Sequence, residues 1–492
     1  LLGIFMRGTA KKLLVLTVPV LAFIQLIQLT PKDHYLIKFL FSYVDLLYVD
    51  NMSIVFGTVF LISAFFAFIY GLTVAKRFEY SSALIYVGSA LSVVFAKDLI
   101  SLYVFWELMA ISSVMLIFLR NTEASRKSAL RYIIIHIVGG LVLLAGIMLH
   151  VYHTSSVEFV HFSFQNLATW LMLIGVLVNA AAVPFSTWLS DSYPESTIMG
   201  GVILSAYTSK TAIYVLLRGF AGWDVLIWIG IATSLYGIIY GILQNDIRRI
   251  LAFSIINQVG FMICAVGIGT PLAIAGACAH AFCHIVYKGL LWMTAGAVIE
   301  STGKSKCTEL GGLYYAMPVT FICAVVGVLS ISAFPFTSGF ISKTLILKAA
   351  ELSHLFWPWM LLEISAAAGF LLKGVYLYFV FFSTDRKLQV KPVRRSMVVG
   401  MVSLSVLCIY LGCVPQTLYN LLPYSKVVFN KVPYMFSDLY GQHFGYALLG
   451  MQKFFMSVLA FFICLPILKR VSGVSLEFDW VYRRGLRYVV LF

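Results

Sequence analysis

Fourteen apolar stretches follow one another along the chain, and short polar segments separate them. A helix needs about 20 apolar residues to cross the hydrocarbon core of a bilayer. The stretches lie at residues 11–30, 51–74, 80–97, 99–119, 126–152, 166–183, 198–219, 224–243, 248–269, 272–299, 317–350, 356–382, 396–414 and 449–469. The pattern predicts an all-α, polytopic membrane protein of about 14 transmembrane helices.

Two of the stretches carry a helix-breaking proline. The stretch 317–350 is too long for one straight span and contains Pro-Phe-Thr-Ser-Gly at 335–339. The stretch 166–183 ends at Pro184, in Val-Pro-Phe-Ser-Thr at 183–187. Proline removes a backbone hydrogen bond inside a helix, so we expect both helices to break there. The exposed backbone groups must then face protein or water.

Composition excludes the soluble alternatives. The chain is 61% hydrophobic and 11% charged, whereas soluble domains average about 45–50% apolar and about 25% charged residues. A soluble multidomain enzyme, a disordered chain and a coiled coil are therefore excluded. The net charge of +15 does not indicate nucleic-acid binding, because no soluble basic domain is present to carry it.

The basic residues occupy alternate loops, as the positive-inside rule requires of cytoplasmic loops. The basic loops contain Arg7/Lys11/Lys12, Lys76/Arg77, Arg120/Arg126/Lys127/Arg131, Arg248/Arg249, Lys304/Lys306, Arg386/Lys387/Lys391/Arg394/Arg395 and Lys469/Arg470/Arg483/Arg484/Arg487. The exception on this side is 184–197, which has no Lys or Arg and two acids. Both ends of the chain are predicted to be cytoplasmic, in a multi-pass protein of the cell (inner) membrane.

A weak internal repeat suggests the domain organisation. Pro-Phe-Ser-Thr at 184–187 returns as Pro-Phe-Thr-Ser at 335–338, and five spans separate the two copies. An odd number of spans inverts the second copy across the membrane, as in many transporters. We expect N-terminal helices at 1–79 (lacking a first helix, since the chain starts at Leu1), transport repeats at 80–219 and 224–382, and C-terminal helices with a cytoplasmic tail at 396–492.

Ionisable residues inside apolar stretches each cost a few kcal/mol, and seven of them are taken as functional candidates. They are Glu107, Lys210, His280, His284, Lys288, Lys343 and Lys373. His280, His284 and Lys288 share one helix face by their spacing. A row of Lys, His and Glu out of water can pass protons. We therefore predict a lateral polar axis at mid-membrane, in which Glu107 and Lys210 form a pair.

Structural explanations compete with this interpretation. Lys343 and Lys373 could lie near helix ends and extend to the interface. Glu107 and Lys210 could form a structural ion pair, and His280, His284 and Lys288 could make core hydrogen bonds. A metal site on that face is not expected, because lysine is a poor ligand and no carboxylate accompanies it. The eight cysteines form no C-x-x-C pair, so neither a metal nor another cofactor is predicted.

Five motifs together resemble the proton-conducting membrane subunits shared by Mrp-type multisubunit Na⁺/H⁺ antiporters and respiratory complex I (NADH-quinone oxidoreductase). They are Phe-Trp-Glu-Leu-Met at 105–109, Pro-Phe-Ser-Thr-Trp-Leu-Ser-Asp at 184–191, Leu-Ser-Ala-Tyr-Thr-Ser-Lys at 204–210, His-Ala-Phe-Cys-His-Ile-Val-Tyr-Lys at 280–288 and Pro-Phe-Thr-Ser-Gly-Phe-Ile-Ser-Lys at 335–343. The resemblance covers about residues 11 to 415. The length and the segments 193–195 and 479–484 look most like the D-type subunit of the antiporters.

The resemblance implies a role for each candidate. Glu107 looks like the entrance glutamate, Lys210 like the central lysine, and the 280/284/288 face like the middle relay. Lys343 looks like the exit lysine, and Lys373 matches Lys210 in the repeat. Two positions depart from the family: Asn179 stands where relatives have a lysine, and Ser186 where they commonly have a histidine. Asn179 cannot hold a proton, so the usual Glu–Lys switch would have to run from Glu107 to Lys210 or through water.

The resemblance implies a transport subunit that moves protons, or one side of Na⁺/H⁺ exchange. Its expected partners are other membrane subunits, H⁺, Na⁺ as a candidate ion and the lipid bilayer, without nucleic acid. The alternative is a proton-pumping subunit of an NADH dehydrogenase (quinone) complex, and a scaffold that has lost conduction is a third reading. The chain has no dinucleotide-binding G-x-G-x-x-G and no cluster-binding Cys spacing, so it would not carry electrons itself.

Overall fold

The computed structural model describes residues 8–30, 34–39, 42–163, 165–431, 444–468 and 470. Three sequence-based expectations lie outside these residues: the lost helix before Leu1–Arg7, the D-type segment 479–484 and most of the cytoplasmic tail.

Helices make up nearly all of the described structure. In chain order they are α1 (Gly8–Gln28), α2 (Asn51–Gly71), α3 (Arg77–Phe95), α4 (Leu99–Phe118), α5 (Glu123–Thr154), α6 (Leu167–Ala180), α7 (Thr187–Ser192), α8 (Ile198–Leu204), α9 (Thr208–Gly219), α10 (Val225–Leu243), α11 (Ile247–Ile268), α12 (Pro271–Thr302), α13 (Leu313–Ala316), α14 (Pro318–Ile331), α15 (Ser338–Leu352), α16 (Phe356–Leu377), α17 (Arg395–Cys413), α18 (Gln416–Tyr419), α19 (Ser425–Lys431) and α20 (Phe444–Cys464). Short 3₁₀ turns lie at Tyr193–Glu195 and Cys307–Glu309, and a π-helical turn at Tyr378–Phe382 extends α16.

The predicted spans correspond to helices in the structure. Twelve helical segments among the described residues are long and apolar enough to cross a membrane. The two remaining predicted spans contain the shorter apolar helices Leu167–Ala180 and Pro318–Ile331. The predicted fold class, a mostly helical multi-pass membrane protein, is therefore confirmed.

Polar residues just outside the apolar stretches set the helix starts. Asp98 accepts a hydrogen bond from the backbone N–H of Ser101 at 2.8 Å, and Asp50 does the same for Ser53 at 2.8 Å. Gly269 and Gly303 end α11 and α12 in the left-handed conformation. Such caps bond the terminal backbone groups that a helix cannot pair within itself.

Helices α11 and α12 form the centre of the molecule. The apolar window of α11 is 100% buried and that of α12 is 94% buried, against 22% for α1 and for α20. Glycines let the central helices approach closely: a Cβ at Gly230, Gly237 or Gly260 would overlap backbone of the facing helix. Small residues at such crossings are typical of packing inside membranes. The centre is therefore a protein-enclosed layer away from lipid.

The acidic exception to the basic-loop pattern pairs with a neighbouring basic loop. Arg131 binds Asp191 at 2.7 Å, and Arg120 binds Glu195 at 2.9 Å. Arg248 also donates to the backbone carbonyl of Ser196 at 2.8 Å. The segment 184–197 thus lies on the same side of the molecule as two basic clusters, which agrees with the predicted alternation.

A two-stranded antiparallel hairpin was not expected in the predicted loop 31–50. Strands β1 (His34–Phe39) and β2 (Ser42–Tyr48) pair with His34 opposite Tyr48. The ammonium of Lys97 lies 4.1 Å from the centre of the Tyr48 ring. The hairpin is an addition to an otherwise helical fold.

Candidate functional site

Both predicted helix breaks are present. Helix α6 ends at Ala180 and α7 begins at Thr187, with Ala181 in the left-handed region (φ 59°) and a cis peptide before Pro184. Helix α14 ends at Ile331 and α15 begins at Ser338, with Ala333 (φ 56°) and Phe336 (φ 65°) left-handed between them. Each break leaves backbone groups without intrahelical partners near the middle of the fold.

A third interruption corrects the prediction of one continuous helix over 198–219. Helix α8 ends at Leu204 and α9 begins at Thr208. The backbone N–H of Thr208 donates to the hydroxyl of Tyr86 at 2.9 Å, and the Tyr207 hydroxyl donates to the Phe60 carbonyl at 2.9 Å. The bond from the Thr208 N–H replaces a helical one, and the Tyr207 hydroxyl ties the interruption to α2, so the interruption needs no proline.

Lys210 lies directly after this interruption. Its side chain is fully buried (0% exposed). The ammonium donates to the carbonyl of Ser205 at 2.6 Å and to the hydroxyl of Ser209 at 3.1 Å. The Ser205 carbonyl is free because it lies at the end of α8. A backbone carbonyl, not a carboxylate, therefore holds this cation.

Lys343 is held in the same way by the break between α14 and α15. It is 1% exposed, and its ammonium donates to the carbonyl of Ile331, the last residue of α14, at 2.6 Å. Its burial contradicts the alternative that it extends to the interface. Lys373, in α16, is also 1% exposed, and its ammonium has no hydrogen-bond partner among the described residues.

The predicted shared face of His280, His284 and Lys288 lies on α12, and all three side chains are fully buried. The rings of the two histidines are 6.2 Å apart, and His280 Nδ1 lies 3.0 Å from the Ser342 hydroxyl. The Lys288 ammonium donates to the Leu251 carbonyl of α11 at 2.9 Å. Neither ring nitrogen of His284 has a hydrogen-bond partner within the described part of the chain.

Six of the seven predicted side chains form one buried basic group. Lys210 is close enough to His280, His284 and Lys288 to interact electrostatically with each. Lys373 is similarly close to Lys288 and Lys343. We call these six residues the basic group; they are Lys210, His280, His284, Lys288, Lys343 and Lys373. Their predicted roles in proton transfer remain predictions.

Glu107 stands apart, and here the predicted pair is wrong as a contact. No ion pair joins Glu107 to Lys210, although both are described. Glu107 is half-buried on α4, and its carboxylate lies against Gly140 of α5, where any added Cβ would overlap Oε1. That oxygen has no hydrogen-bond partner among the described residues. A pairing between helices depends on their packing, which the sequence pattern does not reveal.

Sequence reasoning passed over three buried or half-buried polar residues. Glu363 on α16 interacts electrostatically with Lys343. His136 on α5 is 1% exposed, and Glu79 on α3 accepts hydrogen bonds from Thr197 and from the backbone of Gly200. Glu363 and His136 carry the same signal as the others, an ionisable residue inside an apolar stretch. Glu79 lies just outside its predicted stretch.

A cavity of about 160 Å³ adjoins the basic group at Lys343. Lys343 lies in its wall, together with Lys348, Glu351, Glu363 and Lys453. Lys453 of α20 binds Glu363 at 2.7 Å. The described residues contain no group of three His, Cys, Asp or Glu side chains placed to hold a metal ion. Amines, imidazoles and carboxylates lie in the basic group and the cavity wall, and such groups can exchange protons.

Comparison with known proteins agrees with the motifs. The family described as NADH:quinone oxidoreductase/Mrp antiporter, TM, matches residues 96–371. The A1 component of a Na⁺/H⁺ antiporter from Staphylococcus haemolyticus is 33% identical over 69% of this chain and 48% of its own length. The A component of the Na⁺/H⁺ antiporter from Alkalihalophilus pseudofirmus is 30% identical over 75% of this chain and 52% of its own. The chain thus spans about half the length of these relatives, and their names show that the likeness to the D-type component is not specific.

Solved structures share the fold. The Mrp complex from Dietzia sp. contains a chain with a TM-score of 0.76 at 18% identity, over 86% of this chain and 91% of that one. The membrane-bound sulfane sulfur reductase, an archaeal respiratory membrane complex, contains a chain with a TM-score of 0.80 at 23% identity. That match covers 100% of this chain and 92% of the other. The matched family model covers more than half of the chain and includes every break and every member of the basic group except Lys373. The chain belongs to the NADH:quinone oxidoreductase/Mrp antiporter transmembrane family.

Proposed function

We propose that the chain is a proton-translocating subunit of a multisubunit monovalent cation (Na⁺/H⁺) antiporter, and that protons move along the basic group. One observation carries the proposal: buried ammonium groups are held by backbone carbonyls at three sites, Ser205, Leu251 and Ile331. Burial of a charged lysine without such an acceptor would cost several kcal/mol.

The carbonyl contacts explain how a proton can leave. A carbonyl accepts a hydrogen bond from either the charged or the neutral amine. Loss of the proton therefore leaves no carboxylate unpaired, as breaking a buried ion pair would. Like charges that share a poorly screened interior also disfavour one another. A proton that arrives at Lys210 would thus promote release from Lys288 and His284, and charge would pass towards Lys343.

The cavity and the helix breaks support a direction for proton movement along the basic group, towards Lys343. Lys343 lies both at the second break and in the cavity wall, so it suits the exchange of protons with the aqueous phase. We assign 80–219 and 224–382 as the two transport repeats, in inverted orientation. The support is that each contains an apolar helix that stops before a Pro-Phe pair.

Other membrane subunits are the proposed partners, in the cell membrane. The relatives named as Na⁺/H⁺ antiporter subunits favour this assembly over a quinone-reducing one. Purification of the native complex distinguishes the two: small antiporter subunits support the proposal, whereas flavin and Fe–S subunits support the alternative.

Transport by the assembled complex in vesicles is the test. A Na⁺ or K⁺ pulse should drive proton movement that a pH-sensitive dye reports. Lys288→Met should abolish it, whereas Lys127→Met, at an exposed residue paired with Glu123, should leave it unchanged. Unaltered proton movement by assembled Lys288→Met complexes would contradict the proposal.

A further inference from the structure

The first half of the molecule leaves a gap between an acid and the basic group. Glu107 lies against Gly140 of α5, whereas Lys210 lies on α9, and the two make no ion pair. His136 lies one helical turn before Gly140 on the same face of α5. Its side chain therefore lies on the face of α5 that the Glu107 carboxylate contacts at Gly140.

The surroundings of His136 fix its protonation pattern. Its ring stacks on Tyr132 with centroids 3.9 Å apart and meets the edge of Trp188 at 4.5 Å. Its Nδ1 lies 2.9 Å from the Tyr132 carbonyl. A carbonyl only accepts, so Nδ1 carries the hydrogen and the neutral ring presents a lone pair at Nε2. Nε2 is buried and has no partner among the described residues.

Hydroxyl groups lead from Tyr132, which stacks on this ring, to the start of α9. The Tyr132 hydroxyl lies 2.8 Å from that of Ser113 and also interacts with Thr208. Thr208 in turn lies 2.5 Å from the Tyr86 hydroxyl and precedes Lys210 by two residues. Tyr193 is a further titratable group nearby, and its ring lies 5.6 Å from that of Trp188.

We propose that His136 carries protons between Glu107 and Lys210, an inference that rests on the proposed function. In the forward step the O–H bond of the Glu107 carboxylic acid breaks and an Nε2–H bond forms. In the next step that bond breaks and the proton reaches the neutral amine of Lys210 along the hydroxyl groups of Tyr132 and Thr208. Nδ1 keeps its hydrogen on the Tyr132 carbonyl throughout, so Nε2 both accepts and releases.

Position 179 allows a rescue experiment, in which a lysine replaces Asn179 in a variant that lacks His136. Asn179 follows Val178, which packs on Gly139 and accepts a hydrogen bond from Trp188 Nε1 at 2.8 Å. The Asn179 side chain is 1% exposed, and its amide has no partner among the described residues. A lysine placed there would supply a second proton carrier beside the His136–Trp188 contact.

The experiment measures cation-driven proton movement by the assembled complex in vesicles. His136→Gln, which can still donate to the Tyr132 carbonyl, should lower the rate by at least about tenfold, because a positioned proton-transfer group contributes about 100-fold or more. Adding Asn179→Lys to His136→Gln should restore much of it, which a purely structural defect would not permit. His150→Gln, on the same helix and partly exposed, should behave as the unaltered complex. If His136→Gln fails to assemble, His136→Phe keeps the stack on Tyr132 and should show the same loss.

The outcomes separate this inference from the proposed function. Loss of transport in Glu107→Gln with full transport in assembled His136→Gln would overturn the role of His136 alone. Full transport in both would overturn the proposed function with it. Loss in His136→Gln without any recovery on adding Asn179→Lys would also overturn the inference, because the histidine would then be required for something other than carrying a proton.

Discussion

Each half of the chain has a helix that breaks before a Pro-Phe pair, but the two breaks hold different groups. At the second, the Lys343 ammonium bonds the Ile331 carbonyl at 2.6 Å. At the first, Asn179 is the next-to-last residue of α6, and its amide has no partner within the described residues. The lysine of the first half, Lys210, instead bonds the Ser205 carbonyl at a separate interruption.

The comparison shows how Lys210 and Lys343 are held in this fold. Each ammonium donates to an acceptor that carries no opposite charge, and a helix end supplies that acceptor because its last carbonyls have no intrahelical donor. In the first half the buried lysine lies at the interruption at 205–207 and not at the proline break. Glu107, on α4 against Gly140, makes no ion pair with it.

The largest effect is expected from removing the buried lysine of the first half. Lys210→Met should lower proton movement by about 100-fold or more, because it deletes a proton-transfer group. The free energy of unfolding should not fall much, since the change also removes the cost of a buried charge. Vesicle transport and thermal unfolding of the assembled complex measure the two. Transport at the unaltered rate would show that the first half works without this lysine.

A smaller loss is expected from displacing the acid. Gly140→Ala would push the Glu107 carboxylate from its place, and misplacement by about 1 Å can cost about 100-fold in a well-positioned site. Gly88→Ala is the matched control, since nothing lies within 4 Å of an added Cβ there. Equal transport rates for the two variants would show that transport does not depend on the position of the Glu107 carboxylate.

The second break, between α14 and α15, can be disturbed by a substitution on the neighbouring helix α17. Gly412 of α17 packs against the backbone of Phe336 and Thr337, and an added Cβ would overlap both. Gly412→Ala should shift the break, reduce transport several-fold and cost about 1–3 kcal/mol of stability. Gly289→Ala, whose Cβ would meet only Leu404 at 3.3 Å, should change neither. A break that tolerates Gly412→Ala would not be holding Lys343 in a defined position.

The smallest effect is expected from the ion pair between Lys453 and Glu363 in the cavity wall. Lys453→Met breaks the 2.7 Å pair with Glu363, but the Lys453 side chain is 45% exposed, and exposed pairs contribute about 1 kcal/mol or less. Transport should stay within about twofold of the unaltered rate. A loss of transport comparable to that of Lys210→Met would mean that the Lys453–Glu363 pair, and not the basic group, limits transport.

Much of the fold could be predicted because lipid leaves few choices. Backbone groups in the bilayer must bond within their own helix, so long apolar stretches indicate helices and prolines indicate breaks. The face shared by His280, His284 and Lys288 followed from spacing alone. The interruption at 205–207 could not be predicted, because it depends on hydroxyl groups of Tyr86 and Tyr207 that meet other helices.

The candidate site was predictable residue by residue but not in its connections. Burial of an ionisable residue identified the basic group, and the same rule would have selected His136 and Glu363. The separation of Glu107 from Lys210 depends on how α4, α5 and α9 pack. No property of the separate stretches determines that distance.

The central claim is that the buried lysines exchange protons and do not merely hold charge. Lys343→Arg tests it most directly, because arginine keeps the cation but does not release its proton, and the adjoining cavity of about 160 Å³ offers room for the larger head group. Lys453→Arg, on the same cavity, is the control. We expect assembled Lys343→Arg complexes to lose cation-driven proton movement, whereas Lys453→Arg complexes should keep it. Proton movement at the unaltered rate in Lys343→Arg vesicles would contradict the claim.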